Sequence, residues 1–254
     1  MASSNIEMIK KVAVGLGDLK DSVVFIGGAV TELYAKDSAS TEIRPTLDVD
    51  CVIELASRGS FYHMEDSLRS KGFKNDTTPG APICRWIYKD VIVDIMPDDE
   101  DILGFSNRWY KTGVKNRIER EIDNNLKIFI FQVHYYLATK LEATFHRGMA
   151  DLRTSQDFED VVFILNNDPT ILDSIEECHD DELKQYLKDS MRTLLNLRYI
   201  NEAVECCLPY GDNKRLGIIL DLMKVIQTVG ERIPPADTLA KAIERRDKAL
   251  ERTS

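Results

Sequence analysis

Three aspartates stand in two strongly apolar short segments of the N-terminal half of the chain. Asp48 and Asp50 are separated by one residue in the first segment, and Asp94 is the single acid in the second, residues 91–96. Aspartate is depleted in β-strands, and residues i and i+2 of a strand point to the same face. If the two segments are adjacent strands, three carboxylates converge on one place.

Carboxylates that converge repel one another unless protons or cations compensate their charge. Ligand sets made only of oxygen suit Mg²⁺ or Mn²⁺, which bind a few carboxylates together with substrate phosphates. We therefore predict a site for Mg²⁺ (or Mn²⁺) in which Asp48, Asp50 and Asp94 are both metal ligands and catalytic residues. The alternative interpretation is a half-exposed strand whose outward residues happen to be acidic.

A pair of glycines, Gly27 and Gly28, ends a short β-rich run and precedes a helix-like segment. Glycine lets the backbone approach an anion closely, and the N-terminus of a helix offers free N–H groups to a phosphate. The same pattern is also that of a common tight turn. No Gly-Lys-Ser or Gly-Lys-Thr follows, so the segment is not a Walker phosphate loop.

Together the Gly-Gly turn, the Asp-x-Asp pair and the later single aspartate resemble the polymerase-β-like nucleotidyltransferase superfamily over about residues 22–96. A second block, which contains Lys140, Arg147 and Asp157, resembles the C-terminal signature of the AbiEii/AbiGii-type toxins. The resemblance implies an enzyme that moves a nucleoside monophosphate from an NTP to an acceptor hydroxyl, with tRNA or another RNA as the candidate acceptor. It also implies a toxin–antitoxin or phage-defence setting, with a cognate antitoxin as partner.

The resemblance further implies roles for single residues. Asp48 and Asp50 would bind both metal ions, while Asp94 would bind the catalytic one and help to deprotonate the acceptor. On a helix Lys140 and Arg147 share a face, where they would clamp triphosphate oxygens. Ser155 is predicted to cap a helix, which is the alternative reason for acids just after it. The predicted nucleotide-binding residues are Gly27, Gly28, Thr31, Arg44, Lys140 and Asp157.

A basic segment follows the third aspartate. We predict that this segment contacts an RNA acceptor. The alternative interpretation is a solvated face of a helix or loop. The chain as a whole has 33 basic and 43 acidic residues, a net charge of −10, which disfavours strong non-specific RNA binding. RNA binding would therefore depend on this segment, whose basic residues are Arg108, Lys111, Lys115, Arg117 and Arg120.

Two other functions stay open. One is a nucleotidyltransferase fold used as a nucleotide-binding or regulatory module with little catalysis. The polar stretch 36–42 lengthens the interval between Gly28 and Asp48 to 19 residues, and the turn lacks the serine that is common in the superfamily. Both departures favour this alternative, whereas the presence of all three acids argues against a simple loss of catalysis. The other is a transferase whose acceptor is a hydroxyl on a partner protein.

The elements that would position these residues alternate in the first part of the chain. Helices are predicted over 6–19, 29–35 and 61–71, and strands over 22–26, 47–55, 83–88, 91–96 and 126–131, with a hairpin turn at Lys89 and Asp90. Later segments all have helical period: 133–146, 157–166, 170–178, 181–197, 215–229 and 235–252. We predict an α+β fold, with a nucleotidyltransferase-type mixed sheet flanked by helices in residues 1–131 and an all-helical domain in 132–254.

Composition narrows the class of protein. The chain has 254 residues, of which 43% are hydrophobic and 30% charged, a globular profile. No apolar run approaches the roughly 20 residues needed to span a bilayer, and the N-terminus lacks a signal-peptide core. The five cysteines show no CxxC spacing and are interpreted as reduced thiols. We predict a cytoplasmic protein with no membrane partner.

Overall fold

The computed structural model describes residues 3–36, 44–55, 57–123 and 125–230, and the chain divides into two compact units. The first unit takes residues 1–32 and 43–139, and the second takes 33–42 and 140–254. The division after Thr139 falls inside a helix that begins at Val133. The boundary predicted between residues 131 and 132 lies just before that helix.

The described part of the first unit contains a mixed sheet of seven strands. The strands are β1 (Val23–Ile26), β2 (Asp48–Ile53), β3 (Lys74–Asn75), β4 (Arg85–Tyr88), β5 (Val91–Pro97), β6 (Ile118–Asp123) and β7 (Leu126–Ile130). Their order across the sheet is β3-β4-β5-β2-β1-β7-β6. Strand β2 runs parallel to β5 and antiparallel to β1, while β1 runs parallel to β7. The predicted mixed sheet is confirmed.

The central strands β1, β2 and β5 are the most buried, as their nearly continuous apolar sequences predict. Helix α1 (Ser4–Leu16) begins at Ser3, whose side chain accepts a hydrogen bond from the backbone N–H of Ile6. It packs against β2, β5 and β6. The other α-helices that begin in this unit are α2 (Arg58–Ser70), α3 (Glu100–Leu103), α4 (Tyr110–Lys115) and α5 (Val133–Ala143).

All the regular secondary structure in the described residues of the second unit is helical, which confirms the predicted helical C-terminal region. Its α-helices are α6 (Gln156–Asn167), α7 (Ile171–Glu177), α8 (Asp181–Leu195), α9 (Ile200–Cys206) and α10 (Asn213–Gln227). A π-helical turn, Thr144–Gly148, continues α5. Helix α10 packs against α6, α8 and α9. The helix predicted over 235–252 lies outside the described residues.

Several elements differ from their predictions. The segment after Gly27 is a 3₁₀-helix, Gly28–Tyr34, and a further 3₁₀ turn, Gly17–Ser22, ends the first helix. The basic segment, expected as a helix or loop face, forms α4 and then the sheet strand β6. Residues 37–43 of the lengthened interval lie outside the described part. Among the described helices, none is both long and apolar enough to cross a membrane.

Candidate metal centre

The pairing of β2 with β5 brings the three aspartates together. Their parallel register aligns Asp50 with Asp94, and Asp48 lies two residues earlier on the same face as Asp50. One carboxylate oxygen from each residue lies within 4.8 Å of those from the other two. When the histidine, cysteine and acidic side chains of the described residues are considered, these three aspartates are the cluster that could hold a metal ion.

The donor set fits a hard divalent cation. Two oxygens on one octahedral Mg²⁺ lie about 3 to 4 Å apart, so the 4.8 Å limit is within reach of a small side-chain rotation. Asp48 and Asp50 are half-buried, whereas Asp94 is only 8% exposed. Three carboxylates without sulfur or imidazole ligands favour Mg²⁺ or Mn²⁺ over zinc.

Neighbouring thiols do not change this donor set. Burial first, and then the negative charges of Asp50 and Asp94, raise the pKa of the Cys51 thiol. Burial also raises the pKa of Cys84 to about 12, with Asp94 adding to the shift. Both cysteines are free, and both stay protonated at neutral pH. The centre therefore offers oxygen ligands and no thiolate.

The Gly-Gly turn lies directly against the carboxylates. Strand β1 pairs Ile26 with Asp50, and the chain then turns at Gly27 with φ of +74°. A Cβ atom at Gly27 would lie 1.9 Å from Oδ2 of Asp50. The backbone at Gly27 therefore lies close to an anionic group, which is a carboxylate of the same chain, and its approach to a phosphate stays a prediction.

Arg44 lies beside the second glycine. A Cβ atom at Gly28 would lie 3.0 Å from Nη2 of Arg44 and 2.8 Å from Cγ2 of Thr46. The guanidinium is therefore next to the turn, where it can offset negative charge. The structure brings five predicted site residues of the first unit into one place: Gly27, Gly28, Asp48, Asp50 and Asp94, with Arg44 at its edge.

Asn5 of α1 fixes the segment that carries Arg44. Its Nδ2 donates to the carbonyl oxygen of Arg44 at 3.0 Å, and its Oδ1 accepts from the N–H of Thr46 at 3.0 Å. The side chain is fully buried, so it holds this segment much as a neighbouring strand would. Sequence reasoning missed Asn5, because nothing in an amphipathic helix indicates which distant backbone a single asparagine meets.

Tyr136 of α5 also fixes the turn at Gly27. Its hydroxyl donates to the carbonyl oxygen of Gly27 at 2.8 Å, and the hydroxyl of Thr31 lies 2.5 Å from it, so Thr31 is the donor in that second bond. Thr31 is itself buried. To contact a phosphate, as the resemblance implies, Thr31 would have to give up this bond.

Replacing Tyr136 with phenylalanine is expected to lower the free energy of unfolding by about 1–2 kcal/mol, because the buried hydroxyl of Thr31 and the half-buried carbonyl of Gly27 each lose a hydrogen bond. Urea unfolding of the two proteins measures the difference. The matched control is Tyr62→Phe, since Tyr62 is 63% exposed and lies on helix α2 of the same unit. Equal unfolding free energies for wild type and Tyr136→Phe would contradict a positioning role for the hydroxyl.

Arg85 is the second residue that sequence reasoning missed. Its Nε donates to Oδ1 of Asp94 at 2.9 Å, and its Nη2 donates to Oδ2 at 2.7 Å. The hydrogen bonds to Asp94, followed by the charges of Asp94 and Asp48, raise the pKa of Arg85 against the opposing effect of burial. The hairpin carries the missing signal, because a two-residue turn at Lys89 and Asp90 places residue 85 opposite residue 94.

The second unit holds the other predicted nucleotide-binding residues. Lys140 pairs with Asp157 at 3.4 Å and with Asp160 at 2.7 Å, and all three side chains are buried. Arg147 donates to both carboxylate oxygens of Asp157, at 2.7 and 3.0 Å. Lys140 and Arg147, the residues predicted to clamp triphosphate oxygens, thus both bind the carboxylate of Asp157. Ser155 caps α6 by accepting from the N–H of Phe158, as predicted.

The ionisation of Asp157 links this cluster to acid stability. Burial alone would raise the pKa of Asp157, but hydrogen bonds from Arg147 and the charges of Lys140 and Arg147 outweigh it and hold the pKa below 3.8. A carboxyl with a depressed pKa in the folded protein adds stability that is complete above its unfolded pKa and is lost as the pH falls through the folded pKa.

We therefore expect the free energy of unfolding of Asp157→Asn to fall less steeply than that of wild type as the pH is lowered below about 4. Urea unfolding at a series of pH values measures the two slopes. Parallel curves would contradict a depressed pKa at Asp157.

The basic segment is partly engaged by its own surroundings. Lys111 pairs with Asp99 at 3.2 Å, and the guanidinium of Arg117 lies 4.7 Å from the centre of the Phe129 ring. Arg108 lies over the ring of Trp109 at the same distance. Lys115 is exposed on α4, while Arg120 is half-buried on β6. Contact of these residues with RNA stays a prediction.

Comparison of the chain with models of protein families and with curated proteins finds no match. The structure establishes the class of the fold: α+β, with a mixed sheet flanked by helices and a helical C-terminal region. The likeness to polymerase-β-like nucleotidyltransferases stays a prediction, and it depends on the residues and geometry of the aspartate cluster.

Proposed function

We propose that the protein is a metal-dependent nucleotidyltransferase, which transfers a nucleoside monophosphate from an NTP to an acceptor hydroxyl and releases pyrophosphate. The observation that carries this proposal is the convergence of Asp48, Asp50 and Asp94 on two paired strands, directly beside the turn at Gly27. A surface strand with incidental acids would not place a third carboxylate from another strand in line with Asp50.

Each group in the first unit has a role in this proposal. The three aspartates would hold Mg²⁺ or Mn²⁺, which when bound stabilises phosphate charge and lowers the pKa of an attacking hydroxyl. Gly27 and Gly28 keep side chains away from the place where a triphosphate would lie, and Arg44 offers positive charge next to Gly28. Such positioning and charge neutralisation supply most of the catalysis in phosphoryl-type transfers.

The proposed acceptor is an RNA hydroxyl, and the proposed setting is that of a cytoplasmic toxin with a cognate antitoxin. The acceptor would contact the basic residues of α4, β6 and the loop before them. Since the net charge is −10 and Lys111 is already paired, RNA binding would be local and would weaken with added salt.

Two labels on the nucleotide test the proposed reaction. Purified protein is incubated with Mn²⁺ or Mg²⁺, total RNA and each NTP, labelled either at the α- or at the γ-phosphate. We expect the α-label on RNA and the γ-label in pyrophosphate. Transfer of the γ-label would make the protein a kinase and would contradict the proposal. The α-label on protein would replace the RNA acceptor with a protein hydroxyl.

One observation favours a second function, a nucleotide-binding module with little catalysis. Arg85 occupies both carboxylate oxygens of Asp94, an arrangement that also suits a site in which the third aspartate serves structure rather than catalysis. A metal-dependent rise in melting temperature with NTP, without transfer of either label, would support this second function. If no label is transferred and NTP causes no thermal shift, a nucleotide site is excluded.

A further inference from the structure

The pair between Arg85 and Asp94 has the geometry of a strong ionic interaction. Two parallel N–H groups meet the two carboxylate oxygens at 2.9 and 2.7 Å, and Asp94 is only 8% exposed. Bidentate guanidinium–carboxylate pairs are about twice as strong as neutral hydrogen bonds, and burial weakens their screening by water. Arg85 is therefore a resident cation of the aspartate cluster.

The charge of the cluster depends on this cation. Three ionised carboxylates carry −3, and Arg85 brings the sum to −3 + 1 = −2. One divalent cation neutralises that charge. A second would leave the cluster at +2, with both ions close to the guanidinium, an arrangement that is repulsive without further anions. The phosphates of a nucleotide are anions of the required kind.

We propose that Arg85 competes with metal for Asp94, so that the protein without nucleotide binds a single divalent cation through Asp48 and Asp50. Asp94 becomes a metal ligand only when nucleotide phosphates take over the guanidinium or offset its charge. The inference rests on the proposed function, because it assumes that the aspartate cluster binds metal.

If Arg85 only oriented Asp94 as a metal ligand, its removal would lower the metal affinity instead of raising it. Groups that hydrogen-bond a metal ligand from behind usually orient it, and their loss lowers metal affinity about 10–100-fold. Arg85 differs because it carries a full positive charge and engages both oxygens that a metal would use. The direction in which metal affinity changes when the guanidinium is removed therefore separates the two roles.

Mn²⁺ binding without nucleotide provides the test, measured at about pH 8 by the electron paramagnetic resonance of free Mn²⁺ and by calorimetry. We expect Arg85→Gln to bind Mn²⁺ at least about tenfold more tightly than wild type, and to bind a second equivalent. Arg85→Lys keeps the charge and is expected to stay within about threefold of wild type.

Arg153→Gln is the matched control. Arg153 makes the same bidentate arrangement with Asp151 in the second unit, at 2.8 and 2.9 Å. Its loss is expected to leave Mn²⁺ affinity unchanged. Unchanged or weaker Mn²⁺ binding by folded Arg85→Gln would overturn the competition.

A double variant keeps the test decisive if Arg85→Gln does not fold. Arg85→Gln with Asp94→Asn replaces the ion pair by two amides that can bond to each other and leaves the cluster charge at −2. We expect its first Mn²⁺ to bind within about threefold of the wild-type affinity. A loss of tenfold or more would mean that Asp94 already binds metal in the resting protein, and would overturn the inference.

The same measurements separate the inference from the proposed function. If wild type binds Mn²⁺, Asp50→Asn does not, and Arg85→Gln matches wild type, then only the role of Arg85 is wrong. If no folded form binds Mn²⁺, the proposed metal-dependent function fails together with the inference.

Discussion

Asp50→Asn is expected to lower the proposed nucleotidyl transfer by a factor on the order of 10³, which corresponds to about 4 kcal/mol of transition-state stabilisation. Asp50 is the central carboxylate: it shares a face with Asp48, is aligned with Asp94 and lies against Gly27. Asparagine keeps the shape of the side chain but removes its charge. Because one of three converging charges is lost, we expect the free energy of unfolding to change by no more than about 1 kcal/mol.

The transfer of α-label in a single turnover measures this loss. Asp66→Asn is the control, because Asp66 lies in the same unit on helix α2 with its side chain 77% exposed, and its pair with Arg69 is a surface contact. It should keep the wild-type rate. Wild-type transfer by Asp50→Asn would show that the metal assignment is wrong.

Gly27→Ala is expected both to destabilise the first unit, by about 3 kcal/mol or more, and to abolish the proposed metal binding. Two causes add. The backbone at Gly27 has φ of +74°, which alanine adopts at a cost, and the new Cβ would lie 1.9 Å from Oδ2 of Asp50. The alanine must therefore displace either the turn or the carboxylate, and the aspartate cluster changes in both cases.

Gly72→Ala separates these two causes. Gly72 also has a positive φ, +91°, but a Cβ atom there would meet nothing within 4 Å. Its substitution should cost about 1 kcal/mol in the free energy of unfolding and leave Mn²⁺ binding intact. Urea unfolding and Mn²⁺ titration of both variants measure the contrast. Equal effects of the two substitutions would mean that strain alone, rather than contact with Asp50, explains the role of Gly27.

The sequence predicts the centre of the fold well, because the determining signals are local. The apolar runs around Asp50 and Asp94 indicate buried strands, and the turn at Lys89 and Asp90 sets the hairpin register. The same register predicts the pair between Arg85 and Asp94, although a search for acids alone overlooks it. Strand β6 is harder to predict, because it lies at the edge of the sheet and four of its six residues are charged: acidic residues alternate with two isoleucines and one arginine.

Long-range contacts account for what the sequence does not predict. Asn5 bonds to Arg44 and Thr46, and Tyr136 bonds to Gly27, over separations of 39 to 109 residues. Periodicity predicts that Tyr136 is buried, but not that its hydroxyl meets a glycine carbonyl. Likewise, the shared face of Lys140 and Arg147 is visible in the sequence, whereas their common partner Asp157 depends on a contact with α6 that periodicity does not predict.

The hairpin of β4 and β5 also bears on how the chain folds. Arg85 and Asp94 are nine residues apart, so their strands can pair within microseconds, whereas β2 must arrive from a more distant part of the chain. We expect the buried acid to enter the growing sheet already paired with Arg85, so that Asp48 and Asp50 of β2 meet an ion pair instead of an uncompensated negative charge. Arg85→Gln should accordingly slow refolding more than it speeds unfolding.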